Sequence, residues 1–113
     1  MATIVGQTKS PFRGGAYQYV RTTDRLPSIV VAGNQEDPLC TVKLFNPAGR
    51  GTWFIAGFDP DTGNAFGVAD IFERELGDFN IHELAALRVR PFGLPIERDK
   101  WFKPQRVSEL LHD

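Results

Sequence analysis

Acidic side chains are the residues in this sequence most able to do chemistry. Asp59 and Asp61 flank a turn in the run DPDTG, and Glu73 and Glu75 lie on either side of Arg74. Paired carboxylates can transfer protons, and oxygen-rich loops can hold calcium or magnesium. The DPDTG run, however, lacks the number and spacing of oxygen ligands found in a calcium-binding loop. Capping of the turn therefore explains Asp59 and Asp61, and no metal site is predicted.

Asp70 is unusual because it is a carboxylate within an otherwise apolar row of the strand predicted over residues 64–72. A half-buried carboxylate must be paired or must have a raised pKa, and perturbed acids cluster at functional sites. Two interpretations follow. The favoured one is a buried structural charge pair between Asp70 and Arg98. Arg74 or backbone amides are the other structural partners available to Asp70. The alternative is a small hydrolase that uses Asp70 and Glu75.

Other groups of chemical interest lack suitable partners in the sequence. His82 and His112 have no histidine at metal-ligand spacing, and Cys40 is the only cysteine, so neither zinc nor a disulfide is expected. The glycines of the run GRG precede a strand rather than a helix, which argues against a phosphate-binding loop. Without a complete catalytic or metal motif, no cofactor is expected, and a non-enzymatic role is favoured.

The composition is that of one soluble globular domain. The chain has 113 residues, 42% hydrophobic and 24% charged, with a net charge of −1. These values argue against wholesale disorder and against coating of nucleic acid by bulk charge. No run approaches the roughly 18 apolar residues of a spanning helix or the roughly 7–15 of a secretion signal. A cytoplasmic protein without membrane contact is expected.

Charge is unevenly distributed along the chain. Residues 1–26 carry four basic side chains and one acidic, a net charge of +3, whereas residues 27–113 carry nine basic and thirteen acidic, a net charge of −4. The first segment shows no sustained hydrophobic period. It is interpreted as a partly ordered basic arm, and residues 27–113 as a single domain.

The body of the chain is predicted to be an α+β domain. Strands are predicted over residues 28–32, 41–45, 52–58 and 64–72, with the DPDTG turn joining the last two. Asn80 is predicted to cap a helix that Pro91 ends, and residues 107–111 to form a terminal helical turn. The expected architecture is an antiparallel meander of four or five strands with one short packed helix.

Aromatic and basic residues suggest a second type of surface. They could form a stacking platform with a basic rim for single-stranded nucleic acid. The net charge of −4 on residues 27–113 opposes this interpretation. A domain of this size also needs large apolar side chains in its core. The residues concerned are Trp53, Phe54, Trp101 and Phe102, with Lys43, Arg50, Lys100, Lys103 and Arg106.

From Lys43 onward the sequence resembles a bacterial family known as domain of unknown function 2958. The resemblance is carried by KLFNP, by GTWFIAGFDPDTGNAFGVADIFERELGDFNIHELAALR and by GLPIERDKWFKP. It covers roughly residues 38–111, and the segment before Leu26 departs from the pattern of the family. It implies an accessory protein of plasmids, conjugative elements or phages, of the kind carried near antirestriction genes. It implies no catalytic residues.

These observations together predict a protein-binding accessory factor of a mobile element, with an anti-CRISPR or antirestriction inhibitor as its most specific form. An acidic surface can imitate phosphates and occupy the basic groove of a host defence or nucleic-acid-processing protein. A homodimer through exposed strand edges is a further expectation. The predicted partner-binding residues are Asp59, Asp61, Glu73, Glu75, Asp78, Arg13 and Trp101.

Overall fold

The computed structural model describes residues 19–112 of the chain. The first 18 residues, which include Arg13 and most of the predicted arm, lie outside the described residues. Within the described part, the helices are α1 (Ile29–Gly33), α2 (Ile81–Ala86) and α3 (Val107–Leu111), after a 3₁₀ turn at Thr22–Asp24. The strands are β1 (Leu39–Cys40), β2 (Val42–Phe45), β3 (Thr52–Phe58), β4 (Asn64–Asp70), β5 (Arg74–Asn80), β6 (Glu97–Arg98) and β7 (Gln105–Arg106).

The α+β fold predicted from the sequence is confirmed. Five antiparallel strands form one open sheet in the spatial order β5-β4-β3-β2-β6, and β1 pairs with β7 in a small second sheet. The DPDTG turn joins β3 to β4 as predicted, and Gly63 has the positive φ of 83° that such a turn favours. Strand β5 is at one edge of the five-stranded sheet and β6 at the other.

Both faces of this sheet are covered, which divides the core in two. Helix α2 covers one face together with Tyr19 and Val20, which belong to the segment predicted as an arm. Helices α1 and α3 contribute to the core on the opposite face. The buried residues of the first cluster are Tyr19, Val20, Val42, Leu44, Trp53, Ile55, Phe58, Ala65, Ile81, Leu84, Ala85 and Ile96. Those of the second are Ala32, Cys40, Phe54, Ala56, Val68, Val107 and Leu110.

The predicted strand over residues 28–32 is wrong, because these residues form helix α1. The Ser28 hydroxyl accepts a hydrogen bond from the Val31 backbone N–H at 3.1 Å, which caps the helix. Ala32 is fully buried in the second core cluster, whereas Val30 and Val31 are exposed. A local cap and one buried position therefore outweigh the preference of β-branched residues for strands.

The fourth predicted strand is also too long, and the strand after it was not predicted. Strand β4 ends at Asp70, the chain bends at residues 71–73, and β5 returns along β4 in continuous register from Arg74 to Asn80. The run RELGDFN lacks the alternation of a half-buried strand. Its polar character is that of an edge strand.

Helix α2 begins as predicted and ends earlier. The Asn80 side chain accepts hydrogen bonds from the N–H groups of His82 (2.8 Å) and Glu83 (3.3 Å). The helix ends at Ala86 instead of continuing to Pro91, because Leu87 is already extended. The Arg88 guanidinium then donates to the carbonyl oxygens of Ala85 and Leu87 and satisfies acceptors at the helix end.

Replacement of Asn80 by alanine is expected to lower the free energy of unfolding by about 1–2 kcal/mol. The change removes the cap of α2 and also two hydrogen bonds that the Asn80 amide donates, to Thr62 O at 3.2 Å and Asn64 Oδ1 at 2.9 Å. Urea unfolding of the variant measures the loss. The Asn80→Asp variant, which keeps the cap but not the donors, should lose less, and an equal loss would contradict the capping role.

Candidate functional site

The predicted charge pair between Asp70 and Arg98 is wrong. Arg74 Nε donates to Asp70 Oδ2 at 3.0 Å, and Arg50 Nη2 lies 3.7 Å from Asp70 Oδ1. Asp70 and Arg74 form the pair of the β4–β5 ladder that lies next to the connecting bend. Arg98 lies on β6, three strands away from β4. Arg74 also donates to the Leu110 carbonyl at 2.8 Å, which ties α3 to the sheet.

Arg98 instead holds the segment that precedes the sheet. Its two terminal nitrogens each donate to one oxygen of Asp24 at 2.7 Å, and Nη1 also donates to the Tyr19 carbonyl at 3.0 Å. Burial raises the pKa of the Asp24 carboxyl, but the hydrogen bonds and positive charges of Arg98 and Arg21 outweigh burial and lower that pKa overall. Asp24 and Arg98 are therefore a structural ion pair.

The geometry does not bring together the two acids of the hydrolase alternative. Glu75 is paired with Ala69, the neighbour of Asp70 on β4. Because adjacent residues of a strand point to opposite faces, the Asp70 and Glu75 side chains lie on opposite faces of the sheet. Among residues 19–112, no three His, Cys, Asp or Glu side chains form a group suited to a metal ion.

Cys40 lies where its thiol cannot react. Its side chain is fully buried in the second core cluster, and burial, assisted by the negative charge of Asp37, raises the pKa of the thiol to about 12. Since the thiolate is the reactive form, native protein should resist alkylation at pH 8 and become labelled only on unfolding. Iodoacetamide labelling followed by mass spectrometry, with and without urea, measures this. Rapid labelling of native protein would contradict the buried position.

The predicted acidic residues fall into two groups at different places. The Asp59 carboxylate accepts hydrogen bonds from the Asp61 N–H and the Thr62 hydroxyl, both at 2.9 Å, so it stabilises the β3–β4 turn as expected. Asp61 is exposed in the same turn. Glu73, Glu75 and Asp78 lie on or just before β5. Only this second group lies along the sheet edge.

Strand β5 presents backbone groups that no described strand uses. The Ile81 N–H donates to the Gly63 carbonyl at 2.8 Å, which places the odd-numbered residues of β5 in hydrogen-bonded pairs with β4. Because backbone groups alternate in an antiparallel ladder, the N–H and C=O of Leu76 and Asp78 point away from the sheet. A seven-residue strand with this open edge can pair with another chain.

Exposed apolar side chains lie beside this edge. Phe72 is 88% exposed, and Ile71 and Leu76 are about half exposed. A groove of about 330 Å³ runs between Ala69, Ile71, Phe72, Glu73 and Glu75. We call the following six residues the β5 edge surface: Ile71, Phe72, Glu73, Glu75, Leu76 and Asp78.

The apolar members of this surface were not predicted as binding residues. Ile71 and Phe72 belong to the strand predicted over residues 64–72, and the short turn between β4 and β5 exposes them instead. The signal that could have found them is the charged, glycine-containing run ERELGD, which immediately follows Phe72 and is typical of an edge strand. Three of the predicted partner-binding residues, Glu73, Glu75 and Asp78, nevertheless belong to the surface.

Of the predicted stacking platform, only Trp101 is a freely exposed aromatic side chain. Trp53 and Phe54 are buried, and the Phe102 ring lies 5.6 Å from that of Phe54, against the core. Trp101 is 89% exposed and lines a groove of about 400 Å³ beside β6, at the sheet edge opposite β5. The charges there are mixed, since Lys43 pairs with Asp99 at 3.6 Å.

The fold and surface define a small α+β protein with an open, acidic and partly apolar sheet edge. The family model described as "Protein of unknown function (DUF2958)" matches residues 20–111, so the chain belongs to this family. The match begins at residue 20, which corrects the expectation that the resemblance is lost before Leu26. The Asp24–Arg98 pair explains why this segment is part of the domain. No curated protein and no solved structure matches the chain.

None of the helices within residues 19–112 combines the length and apolar character needed to cross a membrane.

Proposed function

We propose that this protein is a non-enzymatic accessory factor that binds a partner protein through the β5 edge surface. The observation that carries the proposal is the 88% exposed Phe72 ring beside β5, whose outer side pairs with no strand among residues 19–112. Exposed apolar patches with polar rims mark interaction sites, and aromatic residues are enriched in them. In its most specific form, the proposal is an inhibitor carried by a mobile element or phage against CRISPR or restriction systems.

The charges of the surface indicate the kind of partner. Glu73, Glu75 and Asp78 are exposed, and no ion pair within residues 19–112 neutralises them. Proteins that process nucleic acid present basic grooves to the phosphate backbone. Glu73 and Glu75 beside the groove, and Asp78 on the other face of the same strand, can meet basic side chains of such a partner, which supports a nucleic-acid-processing or host-defence protein. Because these partners are cytoplasmic, the proposal places the protein in the cytoplasm.

Affinity capture from host lysate with matched baits tests this proposal. The full chain should retain a specific protein that the Phe72→Ala and Glu75→Lys variants lose, because the first removes the exposed ring and the second reverses a charge. Asp61→Lys is the control, since it makes the same charge reversal in the exposed turn at the other end of β4. Retention of the same proteins by all baits, or of none by the full chain, would contradict the proposal.

A second candidate function rests on the 89% exposed indole of Trp101. Bases of a single strand stack on such rings, and Lys100 beside it could contact phosphate. This candidate predicts retention of a single-stranded oligonucleotide that weakens with salt and with Trp101→Ala. Absence of binding at low salt would remove it.

A further inference from the structure

We infer that β5 takes up an extended, basic segment of the partner protein as a sixth, antiparallel strand of the sheet. This inference rests on the proposed function and specifies how the β5 edge surface recognises its partner. Strand addition uses backbone hydrogen bonds for affinity and side-chain contacts for specificity. The β5 edge supplies both kinds of contact.

The backbone contribution comes from two residues at alternate positions. Leu76 and Asp78 direct their N–H and C=O groups away from β4, as the Ile81–Gly63 hydrogen bond and the register establish. Seven consecutive residues of β5 pair with β4 without a bulge, so the edge is regular along its length. An incoming strand therefore meets two donors and two acceptors at the spacing of an antiparallel ladder.

The side chains specify what the incoming strand should carry. Leu76 and Asp78 lie on the face that α3 covers, and Glu75 lies on the opposite face beside the Phe72 groove. Directly opposite positions in a ladder favour unlike charges and apolar pairs. The preferred incoming strand runs antiparallel to β5. Its sequence begins with a basic residue opposite Asp78 and continues with any residue at the next position. An apolar residue then lies opposite Leu76, and a second basic residue lies opposite Glu75.

Charge argues against a second copy of this chain as the occupant. A pair of β5 strands would bring Glu73, Glu75 and Asp78 of both copies to one interface, where like charges repel. The one cation of the strand, Arg74, is already engaged by Asp70 and the Leu110 carbonyl. The same three acids repel a nucleic-acid backbone. A basic polypeptide segment is the occupant that the charges favour.

Titration of the ¹⁵N-labelled full chain with synthetic peptides tests the inference. The probe is Thr-Thr-Lys-Thr-Val-Lys-Thr-Thr, which places its lysines opposite Asp78 and Glu75 and its valine opposite Leu76. Saturable shifts are expected at the amides of Leu76 and Asp78. The Glu75→Lys variant should bind about tenfold more weakly, because one attraction becomes a repulsion. Asp61→Lys should bind like the unmodified chain.

Two control peptides separate strand addition from charge attraction. N-methyl groups on the residues opposite Asp78 and Leu76 keep both lysines but block backbone pairing, so this peptide should not bind. A peptide with glutamate in place of both lysines should not bind either. Equal binding of the N-methylated peptide, shifts confined to other parts of the chain, or a dimer whose β5 amides are already protected would overturn the inference.

The peptide titration and the lysate capture fail in distinguishable ways. If the full chain captures a partner that Glu75→Lys loses, but the peptide does not pair with β5, the proposed function stands and strand addition is wrong. If no partner is captured and the peptide does not bind, both proposals are wrong.

Discussion

Replacement of Gly67 by alanine is expected to lower the free energy of unfolding by about 4 kcal/mol, the upper end of what single substitutions cost. A Cβ atom at Gly67 would overlap the Phe54 carbonyl oxygen of β3, and it would also meet the Ala56 nitrogen at 3.2 Å. These neighbours are backbone atoms of the central strand, next to the bulge between Ile55 and Gly57, so they cannot rotate away as a side chain could. Urea unfolding measures the loss.

The chain contains a matched control for this substitution. Gly77 lies directly opposite Gly67 in the β4–β5 ladder, and nothing lies within 4 Å of a Cβ built there. Gly77→Ala should be neutral or should stabilise the protein by about 0.5 kcal/mol, since it reduces the freedom of the unfolded chain. If both variants lose the same stability, the close approach of β3 to Gly67 is not the cause.

Removal of the Arg98 guanidinium is expected to have the second largest effect. The Arg98→Met variant should lose about 3 kcal/mol, because Asp24 would remain as a charge with only 12% of its side chain exposed. The Tyr19 carbonyl would lose a donor as well. Lys43→Met is the control, since it breaks the more exposed pair with Asp99 and should cost about 0.5 kcal/mol. Equal losses would contradict a special role for Arg98.

The same pair gives a dependence on pH. The pKa of Asp24 is lowered in the folded protein, so its stabilising contribution is present above the unfolded value of about 3.9 and is lost as pH falls through the folded value. Between about pH 6 and pH 3, the unmodified protein should therefore lose more stability than the Asp24→Asn variant. Unfolding curves at several pH values measure the difference, and identical slopes would refute the role of Asp24.

Several elements were predictable because their causes are local in sequence. The DPDTG turn follows from hydrogen bonds between residues two or three positions apart, and the start of α2 follows from the Asn80 cap. The terminal helix over residues 107–111 and the strands over 41–45 and 52–58 also agree with the structure, apart from one residue at the start of β2. The α+β architecture follows from these elements.

Other features depend on residues far apart in the chain. The sequence contains several arginines that could pair with Asp70. The bend between β4 and β5 places Arg74 beside it, and strand order places Arg98 beside Asp24, 74 residues away. Residues 28–32 favour a strand by residue type, yet their packing against the sheet makes them a helix.

The amino-acid sequence by itself therefore determined the DPDTG turn, the Asn80 cap and the strands β2, β3 and β4, and also where the acidic residues occur along the chain. The tertiary structure alone decided which of these acids share one surface. It did so because the bend after Asp70 returns β5 along β4, which leaves Glu73 and Glu75 beside an exposed Phe72 and places Asp78 further along the same strand. The pairing of β5 with β4, together with the position of β5 at one end of the sheet order, created the surface to which we assign the function.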